Sequence, residues 1–463
     1  MAAIEQLMME PSVFTAVLAI YSEMKSTPES ANLRKDRGVD IIKDPNAYSD
    51  LNELKMAALQ ALAHLAIKEA RHEVVACSLQ KTGVKSYNLL VSNNDQVGDA
   101  TTAHLNKILN SLKDIRQLSN NGDSNRSKGD DPAITEKADL QCEIYKFSHQ
   151  KFLHRFRKHL KNFASALELL EKNSHGQNDE IVPKKLRDSI ETIKTNTNGL
   201  DRELENLIRT DSPSGSSLWK SYLKKANLIT RKAIGLLGQD NREVLERWAE
   251  AANVTPCWLL TRSLEKMTST HRYIHHLFRF ACSSHVAELM ACDFHVQGLS
   301  QPQRTEYGPW PQSKEQWRDI AKKLGIKNPH EQLLLKLCKI QQRRLTIHAE
   351  LVNLIEHCKG LPESELPITL NPYHLIIGVS KLCCFQCKNC IDALNKLAEN
   401  GVIVIIMGGH DKPYLNWDSP LDDPRMKSIL LEGTVAKIKI IENPTVGVIR
   451  TRSGSDSTTP SIC

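Results

Sequence analysis

Aromatic residues are scarce in this chain, 5% of 463 positions, and no apolar run approaches the ~18 residues that a membrane-spanning helix needs. The richest run, Val402 to Met407, is far shorter and reads as a buried strand, so the expectation is a protein with no membrane partner. No secretory leader is expected either. Glu5 and Glu10 precede the apolar stretch Ala16–Ile20 where a leader would be basic, and no small-residue cleavage site follows. The expected location is therefore intracellular, cytoplasmic or nuclear. No fixed-period repeat occurs, which excludes a solenoid despite the abundance of helix-forming residues. Charge of one sign is lacking too: +7 over this length is too weak to identify a nucleic-acid partner. Cysteine is the exception to this sparseness. Five of the twelve lie between Cys358 and Cys390, a crowding that suits a metal site in a reducing compartment better than an evenly spread disulfide framework.

Leu-, Ala-, Lys- and Glu-rich stretches fill the first two-thirds, which predicts a large, mostly α-helical N-terminal region. It divides into residues 1–118 and 133–297, separated by the polar stretch Ser119–Pro132. From Met1 to about Ser92 the reading is helical, with Leu51, Leu54, Ala58, Leu59 and Leu62 on one apolar face. The block from Leu218 to about Val296 reads as three helices. After the proline-rich passage Gly298–Ser313 the pattern changes, and residues 314–450 alternate helix and strand, the logic of an α/β domain. Two helices in Lys314–Arg344 precede one opened by His348. Then come a strand at His374–Ser380, a helix at Cys384–Asn400, a strand at Val402–Met407, a helix near Asp423–Leu431 and a strand at Val435–Ile441. Residues 451–463 form a polar tail.

The chemistry concentrates in His348-Ala349-Glu350 and Cys384-Phe385-Gln386-Cys387. Catalytic zinc takes three protein ligands from His and Cys and keeps a fourth position for water, and His348, Cys384 and Cys387 supply that count. Both segments open helices, where unpaired N–H groups favour thiolate over thiol. Cys384 and Cys387 are three apart, so one turn brings both sulfurs to one side. Glu350, two residues past the histidine, is placed to take a proton from water at the open position rather than to ligate. The expected chemistry is hydrolytic deamination of a cytosine- or adenine-type base, free or in nucleic acid: zinc yields hydroxide near neutral pH, and Glu350 shuttles its proton to the ring and to departing ammonia.

The segment from about His348 to Ile441 resembles the cytidine-deaminase-like superfamily, whose pattern is His/Cys-x-Glu on one helix and Pro-Cys-x-x-Cys on the next. Cys383 stands here in place of the proline. The stretch Ile377 to Cys387, with Gly409-His410, Tyr414, Trp417 and Pro420, is similar to a deaminase-fold group of fungi and intracellular bacteria. That resemblance implies an α/β/α sandwich, zinc and deamination, over roughly the last quarter of the chain. It also implies a β-hairpin before the His348 helix. Residues 332–344 read as helix instead, which leaves a short hairpin at 345–347 or one further upstream.

His410 and Trp417, beyond the strand Val402–Met407, are candidates to line a base-binding pocket, with Tyr414 beside them. Loop packing explains His410 or Trp417 equally well. Two readings from other classes stand beside the deaminase. A helical interaction scaffold would use a closed structural zinc site, with Cys390 as fourth ligand; a thiol-disulfide oxidoreductase would use Cys384-x-x-Cys387 at a strand–helix junction. Lys146–Phe163 mixes basic residues with Phe147, Phe152, Phe156 and Phe163 at helical spacing, which favours a core face over a nucleic-acid surface. His285-Val286-Ala287-Glu288 repeats the metal-motif lettering inside an apparent apolar helix, without paired cysteines nearby.

Overall fold

The computed structural model describes residues 11–25, 51–69, 73–120, 131–173, 184–251, 258–302, 311–326, 328–340, 346–359, 375–397, 404–406, 414, 417 and 424–442. Helix predominates among them, and the strands are few. The chain divides into two units. One comprises residues 43–91 and 97–298, the other residues 1–42, 92–96 and 299–463.

The first unit contains a β-hairpin where helix was expected. Strand β1, Val75–Gly83, turns through Val84 and Lys85 into β2, Ser86–Asn93, and Thr82 donates its hydroxyl to Ser86 across the turn at 3.0 Å. Leu89, Leu90 and Val91 are all buried, so the strand shows no inside–outside alternation for a sequence pattern to reveal. A parallel strand β3, Asp293–Gly298, adds to β2 in the register Ser86 to Asp293 through Val91 to Gly298. The rest of this unit is helical. Its longest element, Pro132–Asn173, bends at Ser148, whose hydroxyl bonds back to the Ile144 carbonyl at 2.8 Å. Phe152, Phe156 and Phe163 are buried on this helix, and Phe147 stacks on His104 with centroids 3.8 Å apart. Arg157, on the outer side, pairs with Asp201 and Glu205. The core reading of this stretch fits these positions. His285 and Glu288 fall on a 3-10 turn and a four-residue helix, both side chains exposed, rather than inside an apolar helix.

The second unit gathers distant pieces of chain. Helix Pro11–Lys25 buries Ala16 through Tyr21 against Trp317, Leu334, Leu337, Phe385, Leu431, Val435 and Ile438. Each such Leu or Ile contributes on the order of 1.5–3 kcal/mol by leaving water. Helix Lys314–Lys323 starts with a capping box, Ser313 and Gln316 satisfying each other's backbone N–H groups, and its end is turned by Gly325 at φ +90. Strands β4, Leu375–Val379, and β5, Val404–Ile406, run parallel in the register Leu375 to Val404. The connection between them carries helix Phe385–Leu397. Helix Pro424–Glu442 continues through Val435–Ile441, where a strand was expected. Leu430, Leu431, Thr434, Val435 and Ile438 are buried at helical spacing, so the apolar face against the core outweighs the β preference of valine and isoleucine.

Gln96 and Ser300 form an isolated antiparallel bridge. The chain therefore leaves this unit and returns to it at one point, after an excursion through residues 97–298.

Candidate metal centre

His348 is the N-cap of helix Ala349–Cys358, with extended backbone at φ −69 and ψ 153. Its carbonyl accepts from Leu351 and Val352 at 2.9 and 3.1 Å, starting the helix, while its ring makes no capping bond and is free to point elsewhere. Neighbouring chain holds this helix start. Asn94 accepts the otherwise orphaned N–H of Ala349 at 3.1 Å, and Ser92 donates to the Ala349 carbonyl at 2.6 Å. Gln301 joins the Asn93 and Ile347 carbonyls at 2.6 and 3.1 Å. Sequence reasoning missed all three supports, because Ser92 and Asn94 lie some 250 positions from the helix they serve.

Cys384 precedes helix Phe385–Leu397, and its sulfur accepts the Cys387 N–H at 3.4 Å, as an N-cap oxygen would. From there both sulfurs reach one nitrogen. His348 Nδ1 lies 3.3 Å from Cys384 Sγ and 3.4 Å from Cys387 Sγ. Glu350 completes a buried group of four whose ligand atoms all lie within 4.8 Å of one another.

These distances fit zinc. Donors 2.0–2.3 Å from a tetrahedral ion sit about 3.5 Å from each other, close to the nitrogen–sulfur separations here. Cys390 is buried and lies outside this group. The electrostatics favour a cation among these atoms. Burial would push the Cys384 thiol up, but hydrogen bonds from Cys387 and His348 and the charge of His348 outweigh it and bring it down to about 6. Burial likewise disfavours a charged His348, yet its hydrogen bond to Cys384 and the charges of Cys384 and Glu350 hold its pKa above the ordinary value. Cys387 is pushed well up, by burial first and then by the neighbouring Cys383 and Cys384 sulfurs.

Residues 347–421 match the OTT_1508_deam-like deaminase family model. The match is to a cytidine-deaminase-like family. It begins one residue before His348 and spans both cysteines and Trp417. Neither the curated proteins nor the solved structures contain a match to this chain.

Within the matched segment, Gln386 of the Cys-x-x-Cys stretch clamps residue 414 from both sides: its amide donates to the Tyr414 carbonyl at 2.6 Å and its oxygen accepts the Tyr414 N–H at 3.2 Å. Tyr414 meets the His348 ring edge-on at 5.6 Å and 75°. Trp417 is buried, forms a parallel bridge with Thr346, and donates its indole N–H to Cys387 Sγ at 3.1 Å. Two of the three proposed substrate residues thus stand beside the ligands. His410 lies outside the described residues. Gln386 carried no sequence signal, since a glutamine in a Cys-x-x-Cys stretch has no fixed role.

Among the described residues no helix is long and apolar enough to cross a membrane.

Proposed function

We propose that this protein is a zinc-dependent hydrolytic deaminase, with His348, Cys384 and Cys387 holding the metal and Glu350 moving the proton. The observation that carries this reading is the meeting of one imidazole nitrogen, two sulfurs and one carboxylate within 4.8 Å, inside a segment that matches a deaminase family. When bound, zinc supplies a Lewis acid that makes water acidic enough to attack near neutral pH. The chain's own residues do the rest. Glu350, itself buried, accepts the first proton of the attacking water and passes it to a ring nitrogen, then takes the proton of the added hydroxyl and delivers it to the leaving amine. The amine-bearing carbon gains oxygen, and ammonia departs.

The proposed substrate is a nucleobase of cytosine or adenine type, free or within nucleic acid. Tyr414 at the edge of His348 supplies an aromatic wall for such a ring. The domain around the site is proposed to complete the α/β/α sandwich of the superfamily. Ammonia release from cytidine, deoxycytidine, adenosine and single-stranded oligonucleotides, with zinc content measured in parallel, tests the reading. Release from one of them that disappears in Glu350→Ala at unchanged zinc content is expected. A zinc-free protein that cycles between dithiol and disulfide would establish the oxidoreductase instead, and a zinc protein inert towards the whole panel would favour the scaffold.

A further inference from the structure

We propose that Trp417 is a positioning residue of the metal centre: its indole N–H tunes the sulfur of Cys387, and Gln386 holds it in place to do so. This rests on the zinc reading above and assigns Trp417 a task other than stacking a base.

The geometry is specific. Indole nitrogen is a donor only, so its 3.1 Å contact with Cys387 Sγ has one direction, N–H towards sulfur. Both residues are buried, Trp417 at 1% exposure and Cys387 at 0%, and burial strengthens such a bond. The indole reaches its position by constraint from two sides. Trp417 N–H bonds back to the Tyr414 carbonyl at 3.3 Å. Gln386 fixes Tyr414 with two hydrogen bonds, and the bridge to Thr346 ties Trp417 two positions before His348. Trp417 is therefore joined to both ligand-bearing stretches at once.

A sulfur that accepts a hydrogen bond gives less electron density to a metal. The metal then remains more acidic at its free position, which is the property deamination needs. Two positions of this chain outside the ligand set, Gln386 and Trp417, thus set the electronics of Cys387.

The test uses the full chain loaded with Co²⁺, whose sulfur-to-metal charge-transfer absorption reports thiolate ligation without turnover. Replacing Trp417 by Phe removes the N–H. Incorporating benzothienylalanine at position 417 removes it at nearly unchanged shape, and covers the case in which the Phe variant does not fold. Both are expected to bind one Co²⁺ per chain and to move the absorption to longer wavelength, because an unbonded sulfur gives up its electron more easily. Q386A, which releases the Tyr414 backbone, is expected to move it the same way. With zinc, kcat is expected to fall about 10- to 100-fold with KM little changed. A thiolate absorption present in the parent and unmoved in the benzothienylalanine protein overturns this inference while leaving the metal centre intact. No thiolate absorption in the parent overturns the metal centre itself.

Discussion

Asn353 donates its side-chain amide to the hydroxyl of Ser92, 261 positions earlier in the chain. Ser92 in turn donates to the Ala349 carbonyl at 2.6 Å, and all of this is buried. Ser92→Ala removes an acceptor and a donor together, taking one buried partner from the Asn353 amide. The expected cost is about 1–3 kcal/mol, seen as a lower urea midpoint with an unchanged slope. An S92A protein as stable as the parent would show that the network contributes nothing.

In the proposed reaction Glu350 separates catalysis from metal binding. Glu350→Gln keeps the size of the side chain and loses the base, so ammonia release should fall by about 10²- to 10⁴-fold while zinc content stays at the parent level. Loss of zinc in the glutamine variant would reassign Glu350 from proton carrier to ligand.

Metal retention should follow the geometry and ignore the remaining thiol. His348→Ala and Cys384→Ser are each expected to reduce zinc per chain from about one towards zero after dialysis against a mild chelator. Cys390→Ser is expected to retain it, since Cys390 is outside the group of converging ligand atoms. Equal losses in all three variants, measured by elemental analysis, would contradict the three-ligand site.

Proton release on zinc binding should depend on pH in a set order. In the metal-free protein the Cys384 thiol titrates at about 6, below its ordinary value, while Cys387 and His348 are held above theirs. The Cys384 thiolate therefore stabilises the folded chain most above its unfolded value, and this is lost as pH falls through about 6. As pH falls through about 6 the Cys384 proton is added to those that zinc has to displace, so proton release grows on acidification. Calorimetric titration in buffers of differing ionisation enthalpy counts them, and a release that does not grow on acidification would contradict the assigned order.

The centre was far more legible in the sequence than the scaffold around it. His348, Glu350, Cys384 and Cys387 are residue types with few alternatives, set at helix starts; spacing pairs the two cysteines, and the fold brings the imidazole to them. Strand β4 and the helix after Cys384 were legible because a short β-branched run and an amphipathic stretch have different periods. The hairpin at residues 75–93 was not, because Leu89, Leu90 and Val91 are buried in succession and alternation is absent. Val435–Ile441 misled in the other direction: its β-branched residues favour a strand one by one, and only the apolar face buried in the core makes it helix. Nothing local in Ser92, Asn94 or Gln386 announces a partner, since a side-chain amide or hydroxyl bonds whatever the fold brings near it.

The bridge between Gln96 and Ser300 bears on how the molecule is made. A ribosome adding about 5–20 residues per second needs roughly 13–50 s to travel from Ser92 to Ala349. For that interval the hydroxyl and amide that will hold the His348 helix wait in water, while the long excursion between them is free to fold first. The centre is completed only once Cys387 has been made, so a nascent chain arrested before His348 carries the early supports without the four side chains they serve.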